Sequence, residues 1–273
     1  MDGGVVTALS HRRASRHVLN RLVEEAPSQP VTLTDDHRRS LSARFRAVAS
    51  AHHRRLDAWM VERAGAPSGP FRWSPATARR ALGNAALRRQ LANHELSSVA
   101  AVDEEVSEQL LRVLDGRARA GSLASFLAQS APSTLGLIGA EAAAWATELS
   151  EAADGLTYPW SVAASDAFYD VATARTTLRG RRDLIVLRGD ERVVVRVRAG
   201  APGKSSGPGL RADLTIDALA HPEGVAAARI IGLWPEAGVV LSVDGTVEDL
   251  RAGAHDLVRT AVTQQRHRLT PAA

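Results

Sequence analysis

The sequence contains no cysteine and almost no lysine, and each absence narrows what the protein can be. Without cysteine, disulfide bonds, thiolate metal ligands and cysteine nucleophiles are excluded. Among 34 lysines and arginines, Lys204 is the only lysine, so arginine carries nearly all of the positive charge. Two explanations stay open: the codon bias of a GC-rich genome, or selection for the bidentate contacts that arginine makes with phosphate and carboxylate groups.

Long hydrophobic runs are missing as well. Residues 1–17 contain no apolar stretch of signal-peptide length, and no segment approaches the roughly 18 apolar residues that a membrane span needs. The histidines show no metal-binding spacing such as H-E-x-x-H, so a histidine metal site is not expected. A chain without cysteine also suits a reducing compartment. We therefore predict a cytoplasmic protein with no membrane contact.

Charge is present but unevenly distributed. Residues 37–93 hold 12 arginines and two acids, a net charge of +10, whereas residues 94–155 hold three arginines and 10 acids, a net charge of −7. Such asymmetry is typical of a nucleic-acid-binding face. It is equally typical of basic and acidic helices that pack against each other, and the sequence leaves both interpretations open.

Under the first interpretation, nine arginines of the basic segment are candidate contacts to nucleic acid. They are Arg38, Arg39, Arg46, Arg54, Arg55, Arg79, Arg80, Arg88 and Arg89. Residues 71–89 also resemble a helix-turn-helix, with Gly83 at the turn and arginines on both sides. A plain helical pair is the alternative for that stretch.

Hydrophobic periodicity predicts helices in the first half of the chain. Thr34 followed by two aspartates predicts a helix start, and we expect that helix to continue to about Arg63. Its apolar face is expected to consist of Leu41, Phe45, Val48, His52, Leu56 and Trp59. Ser74 and Pro75 predict a second start, followed by one bent helix or two short ones around Gly83. Further helices are expected around 99–113, 123–129 and 135–153.

After Gly155 the pattern changes to short β-branched runs. Residues 182–187 and 192–197 flank Arg-Gly-Asp and predict a hairpin. A helix is expected over 210–220, two strands around 225–234 and 239–243, and a last helix over 247–267. The fold class that follows is α+β (mixed α/β), with a helical region over 1–134 and an α/β module with a small mixed sheet over 135–273.

Three segments of that module resemble the PD-(D/E)XK nucleases, and most closely their RecB-like branch. Leu178–Asp183 (LRGRRD) followed by Leu-Ile-Val-Leu is similar to the family's strand that ends near a metal-binding aspartate. Val193–Gly200 is similar to the next strand, where the family has an acid, a variable residue and lysine. Asp213–Ala220 lies where the RecB-like branch has a helix with glutamine and tyrosine four residues apart. The resemblance covers roughly residues 135–265 and implies a restriction-endonuclease-like module.

The same resemblance implies that the catalytic site is degenerate. In the family, two acids hold Mg²⁺ and a lysine assists the attacking water. Here Asp183 remains, but Arg196 stands at the second acid and Arg198 at the lysine. Glutamine and tyrosine are replaced by Asp213 and Asp217. A guanidinium has no lone pair for a metal ion, so we predict no metal, and an ion pair of Asp183 with Arg196 or Arg198 instead.

A rearranged active site is an alternative that would need Mg²⁺ or Mn²⁺. It would combine Asp183 with an acid of the preceding helix and with Asp213 or Lys204. The helix acids, which otherwise form a solvated face, are Glu141, Glu148 and Glu151. The loop around Lys204 departs from the Walker A spacing, because Arg198 occupies the place of the first glycine. No nucleotide is therefore expected.

From the sequence we predict a catalytically inactive nuclease-like protein that binds nucleic acid or serves as a subunit of a DNA-processing assembly. Two alternatives remain: an active metal-dependent nuclease with a rearranged site, and a scaffold that binds a protein partner and has no nucleic-acid role. Nucleic-acid contact through the basic segment would be salt-sensitive and largely independent of base sequence.

Overall fold

The computed structural model describes most of the chain. It covers residues 6–8, 12–29, 31–48, 53–63, 73–93, 95–163, 166–198, 201–234 and 237–269. The helices are α1 (Arg12–Glu24), α2 (Asp35–Arg46), α3 (Trp59–Glu62), α4 (Pro75–Ala92), α5 (Ser98–Leu114), α6 (Leu123–Gln129), α7 (Pro132–Asp154), α8 (Ser206–Ala220) and α9 (Val247–Leu269). The strands are β1 (Val6–Ala8), β2 (Arg54–Asp57), β3 (Trp160–Val162), β4 (Ala167–Val171), β5 (Thr176–Gly180), β6 (Leu184–Arg188), β7 (Glu191–Val197), β8 (Arg229–Trp234) and β9 (Val239–Asp244).

The fold is α+β, as predicted, with helices in the N-terminal region and sheets in the C-terminal half. A six-stranded sheet has the order β1-β9-β8-β7-β6-β3. Its strand pairs are antiparallel except β7 with β8, which are parallel and joined through α8. A second sheet has the order β2-β5-β4. None of the described helices combines the length and apolar character needed to cross a membrane.

By its contacts the chain forms two compact units. The helical unit comprises Arg12–Arg16 and Pro67–Leu156, and the sheet unit comprises Met1–His11, His17–Ala66 and Thr157–Ala273. This division differs from the one expected at residues 134 and 135. Helix α7 packs against α4 and α5 around buried Ile138 and Ala142, so it belongs to the helical unit.

The predicted starts of α2 and α4 are confirmed. The hydroxyl of Thr34 accepts a hydrogen bond from the amide of His37 at 3.4 Å. Ser74 and Thr77 form a reciprocal capping box ahead of α4, with Pro75 in the first turn. In both helices the capping side chains bind amide groups that the helix itself leaves unpaired.

The long helix expected from Thr34 to Arg63 is wrong. Helix α2 ends at Arg46, and residues 54–57 form β2, which runs parallel to β5. The apolar spacing fits a helix, but pairing with a strand some 120 residues away prevails, because it buries Leu56 completely. Trp59, expected on the same apolar face, is 43% exposed. His52 lies outside the described residues.

The turn of the expected helix-turn-helix is absent, since α4 is one continuous helix through Gly83. A side chain at Gly83 would meet the carbonyl oxygen of Ala142 at 3.2 Å. The glycine therefore serves the close packing of α4 on α7 and does not turn the chain.

The predicted hairpin over 182–197 is confirmed as β6 and β7, which pair antiparallel. The predicted helix and the two following strands are α8, β8 and β9. All six residues of β8 are buried, as expected for a strand covered on both faces. Side chains alternate along β7, so Val194, Arg196 and then Arg198 point to one face. Val194 packs there in a core cluster with Leu210 of α8.

Candidate functional site

The five candidate site residues that the sequence resemblance singles out lie together in the sheet unit and are all buried. Asp183 precedes β6, Arg196 lies on β7, and Arg198 follows that strand. Asp213 and Asp217 are four residues apart on α8, which places them on one face of the helix. The antiparallel register brings Asp183 beside Arg196, because its amide donates to the carbonyl of Val195 at 3.1 Å.

Asp183 is held by donors on both carboxylate oxygens. Oδ2 accepts a hydrogen bond from the amide of Val197 at 2.8 Å and lies 3.7 Å from Nε of Arg196. Oδ1 accepts from Nε of Arg181 at 3.2 Å. The structure thus contains the ion pair with Arg196 that the sequence suggested.

Asp213 binds both Arg196 and Arg198. Its Oδ2 accepts from Nη1 of Arg196 and, at 3.2 Å, from Nη2 of Arg198. Oδ1 accepts from the amide of Arg181 at 3.1 Å. Nη1 of Arg198 extends the network to Oε2 of Glu62 on α3, at 2.8 Å. Three carboxylates and three guanidinium groups therefore form one network, which we call the buried ion cluster: Glu62, Arg181, Asp183, Arg196, Arg198 and Asp213.

Asp217 forms a second arrangement one turn further along α8. Its Oδ1 accepts from Nε of Arg182 at 2.9 Å, and its Oδ2 accepts from Nη2 of Arg192 at 2.7 Å. Nη2 of Arg192 also donates to the carbonyl of Val225. Asp217 is thus a buried carboxylate shared by two arginines.

Burial sets the electrostatics of the buried ion cluster. Desolvation raises the pKa of Asp213, against the opposing attraction of Arg196 and Arg198. Desolvation likewise lowers the pKa of Arg196, and the neighbouring charge of Arg198 lowers it further. The pKa of Glu62 is raised by desolvation, opposed by Arg198. Each charge here depends on its partners, since an isolated buried charge is strongly unfavourable.

These residues do not fit a Mg²⁺ site. Asp183 directs its oxygens to an amide and to guanidinium groups, and Arg196 brings positive charge beside the remaining acid. The described residues contain no group of three or more histidines, aspartates or glutamates placed to hold a metal ion. A guanidinium cannot coordinate a cation, so no catalytic step through a metal follows from this geometry.

The rearranged active site would need a glutamate of α7 or Lys204 beside Asp183. Glu141 pairs with Arg79 within the helical unit, at 3.0 Å. Glu151 also lies on α7, and the side chain of Glu148 lies outside the described residues. Lys204 lines an open cavity of about 420 Å³ together with Glu62 and Arg198. Gly200, which begins the loop, lies outside the described residues.

The nine candidate arginines divide between the two units. In the sheet unit, Arg54 is a correction to the prediction: it is 7% exposed and donates to the carbonyl of Val48 at 2.6 Å and to the hydroxyl of Thr176 at 3.0 Å. A guanidinium enclosed in this way cannot reach a phosphate. Arg38 is partly buried and donates to the carbonyl of His221 at 3.1 Å.

The other three candidate arginines of the sheet unit, Arg39, Arg46 and Arg55, remain accessible. Arg39 pairs with Asp36 at 2.5 Å, yet its side chain is 76% exposed. Arg55 pairs with Asp57 at 3.2 Å and is 58% exposed. Arg46 is exposed at the end of α2.

In the helical unit, candidate arginines pair with the acidic segment. Arg89 of α4 contacts three acids of α5: Glu104 at 3.6 Å, Glu105 at 3.0 Å, and Glu108. Desolvation lowers the pKa of Arg89, but its hydrogen bonds to Glu105 and Glu108 outweigh this effect and raise the pKa overall. The ion pairs of Arg89 thus agree with the second interpretation of the charge asymmetry, in which a basic helix packs against an acidic one.

Arg80 and Arg88 also lie on α4 and are partly exposed. With Arg79 bound to Glu141, the arginines of this helix do not form the continuous free surface expected of a phosphate-binding face.

Sequence reasoning did not find several members of these networks. Arg181 and Arg182 stand in the LRGRRD segment but were not assigned a role, and Arg192 was not singled out. Glu62 joins Arg198 across 136 positions of the chain, and no local pattern indicates such a contact. The two aspartates of α8 are the sequence feature that could have indicated these networks. Acids at i and i+4 on a largely apolar helix are expected to be buried and therefore to need charged partners.

Comparison of the chain with family models, with curated proteins and with solved structures gives no match.

Proposed function

We propose that this protein is a catalytically inactive nuclease-like protein of the cytoplasm that binds nucleic acid or serves as a subunit of a DNA-processing assembly. The observation that carries the proposal is the buried ion cluster. Arg196 and Arg198 occupy the positions of a metal-binding acid and a catalytic lysine, and both bind Asp213. The resemblance expects a helix over 135–153, then a strand, a hairpin, a helix, two strands and a last helix. The hairpin of β6 and β7 followed by α8, β8, β9 and α9 is consistent with that order, whereas α7 belongs to the helical unit and β4 and β5 belong to the second sheet.

Three exposed arginines of the sheet unit provide the contact to nucleic acid in this proposal: Arg39, Arg46 and Arg55. Arginine suits this role because its planar guanidinium binds phosphate oxygens in a bidentate manner. Such contacts bind the backbone without reading bases, so affinity falls steeply as salt increases.

The test is binding of the purified protein to short single- and double-stranded DNA across a salt series, with Mg²⁺ and Mn²⁺ present. We expect intact DNA and affinity that decreases with salt. Arg39→Gln combined with Arg46→Gln should reduce the salt slope by about one for each phosphate that is no longer neutralised. Arg117→Gln is the matched control, because Arg117 is 78% exposed but lies in the acidic segment. Cleavage that is abolished in Asp183→Ala would overturn the proposal in favour of an active nuclease.

A second candidate is a scaffold that binds a protein partner, and the ion pairs of the helical unit favour it. Arg79 with Glu141, and Arg89 with Glu105, use basic charge internally that nucleic acid would otherwise attract. Absence of DNA binding at low salt would exclude the nucleic-acid proposal and leave the scaffold.

A further inference from the structure

A second cavity lies in the sheet unit, apart from the residues to which a function is assigned above. It measures about 460 Å³ and is bordered by the 31–33 segment, α2, α8 and α9. Its volume falls within the range of about 300–1,000 Å³ typical of small-molecule sites. We call it the α2–α9 pocket.

The floor of the α2–α9 pocket is apolar. It is formed by buried Leu41, Leu219 and Leu250, with Val31 and Leu33 along one wall. Thr215 also lines the floor, but its hydroxyl is engaged with backbone carbonyl oxygens of its own helix and of Leu250, at 2.9 and 3.1 Å. The floor thus requires no hydrogen bond from a ligand and favours a hydrocarbon group.

The wall formed by residues 31–33 is held in place by backbone bonds. Thr32 forms a β-bridge with Val225, and the amide of Leu33 donates to the carbonyl of Gly224 at 2.9 Å. Arg38 donates to the carbonyl of His221 in the same turn, at 3.1 Å. The pocket is therefore formed before any ligand arrives, which lowers the entropic cost of binding.

The rim of the α2–α9 pocket is positively charged. Arg44 of α2 and Arg251 of α9 border it, together with His37 and His255, and none of the described residues that line the pocket is acidic. Both arginines are exposed, and neither forms an ion pair or hydrogen bond with the part of the chain that the structure describes. Most other arginines of the sheet unit are bound, so two unpaired guanidinium groups at one apolar opening are distinctive.

Two acids on these helices pair with other arginines, and no described acid pairs with Arg44 or Arg251. Asp36 pairs with Arg39 at 2.5 Å, and Asp256 pairs with Arg259 at 2.9 Å. Asp256 is also 3.8 Å from Nδ1 of His255. The rim keeps its two guanidinium charges for an incoming anion.

We propose that the α2–α9 pocket binds a small amphipathic carboxylate, with its apolar body on the leucine floor and its carboxylate between Arg44 and Arg251. Arginine pairs with carboxylate through two parallel hydrogen bonds, which selects this head group over a neutral or cationic one. The site is separate from the buried ion cluster and does not depend on the nuclease-like assignment.

Isothermal titration calorimetry with decanoate on the full chain tests the proposal. We expect saturable binding with a stoichiometry of one, and affinity for decanol and decyltrimethylammonium weaker by about tenfold or more, as loss of a charged hydrogen bond implies. Arg251→Gln should weaken decanoate binding by a similar factor. Arg21→Gln changes an exposed arginine of α1 outside the pocket and should leave the affinity unchanged.

A second pair of variants tests the floor independently of charge. Ala254→Phe places an aromatic ring in the pocket, whereas Ala252→Phe adds the same ring on α9 outside it. Ala254→Phe should abolish decanoate binding while Ala252→Phe retains it, with circular dichroism confirming that both are folded. Equal affinity for decanoate and decanol, retained binding in folded Ala254→Phe, or no binding of decanoate at millimolar concentration would overturn the proposal.

Discussion

The two units of this protein use the same chemical pair, arginine with carboxylate, in opposite environments. In the sheet unit, Arg196 and Asp213 are almost fully enclosed between β7 and α8. In the helical unit, Arg89 and Glu108 meet at the surface, where their side chains are 31% and 44% exposed. Water screens the second pair and not the first, so the same interaction has very different energetic consequences.

The difference has a functional implication. Buried ion pairs are a poor source of net stability, because desolvation opposes the attraction. A need for stability therefore does not explain these buried pairs, which the proposed function attributes to the loss of a metal site. The surface pairs, in contrast, neutralise two oppositely charged helices.

The largest effect is expected from Asp213→Ala. Removal of this carboxylate leaves Arg196 and Arg198 buried beside each other, and breaking a buried pair in this way costs about 3–5 kcal/mol of unfolding free energy. Urea denaturation measures this decrease in stability. Glu141→Ala, which removes a carboxylate from a more exposed pair, is the control and should cost about 1 kcal/mol or less. Similar decreases for both variants would contradict the contrast between the units.

A smaller effect is expected from Arg89→Gln. This change removes the guanidinium that pairs with three acids at a partly exposed position and should lower the unfolding free energy by about 0.5–1 kcal/mol. The salt dependence of the two variants should differ. In about 1 M NaCl the Debye length falls to about 3 Å, so the loss of unfolding free energy caused by Arg89→Gln should become smaller. The loss caused by Asp213→Ala should persist, because that pair is buried. A deficit for Arg89→Gln that is unchanged by salt would indicate that packing, and not charge, holds α4 to α5.

The smallest effect is a pH dependence through Glu108. Hydrogen bonds from Arg112 and then Arg89 lower the pKa of Glu108 below its usual value of 4.5. A carboxyl group whose pKa is lower in the folded state stabilises the fold above its unfolded pKa, and this contribution is lost as pH falls through the folded pKa. Chemical denaturation between neutral pH and pH 3 should therefore show a shallower acid-induced decrease in stability for Glu108→Gln than for the unchanged chain. Superimposable pH profiles would mean that Glu108 contributes no such linkage.

Local signals in the sequence determined much of the architecture. Caps such as Ser74 with Thr77, and the β-branched runs around Arg188 and Asp190, act over a few residues, so the starts of α2 and α4 and the β6–β7 hairpin could be predicted. The asymmetry of charge between residues 37–93 and 94–155 could also be read from the sequence. The Arg89 ion pairs show one of its two interpretations, the packing of a basic helix against an acidic helix.

Other features of the fold and of the candidate site were decided only by the tertiary structure, because they depend on contacts between residues far apart in the chain. Residues 54–57 carry a helical pattern but form β2, since β5 offers a pairing that buries Leu56. Arg54 looked like a surface cation and is enclosed for the same reason. The packing of α8 on β7 determines which arginines bind Asp213. The packing of α2, α8 and α9 leaves Arg44 and Arg251 without a described partner at the rim of the α2–α9 pocket. Local propensity does not determine which charges from distant parts of the chain form pairs.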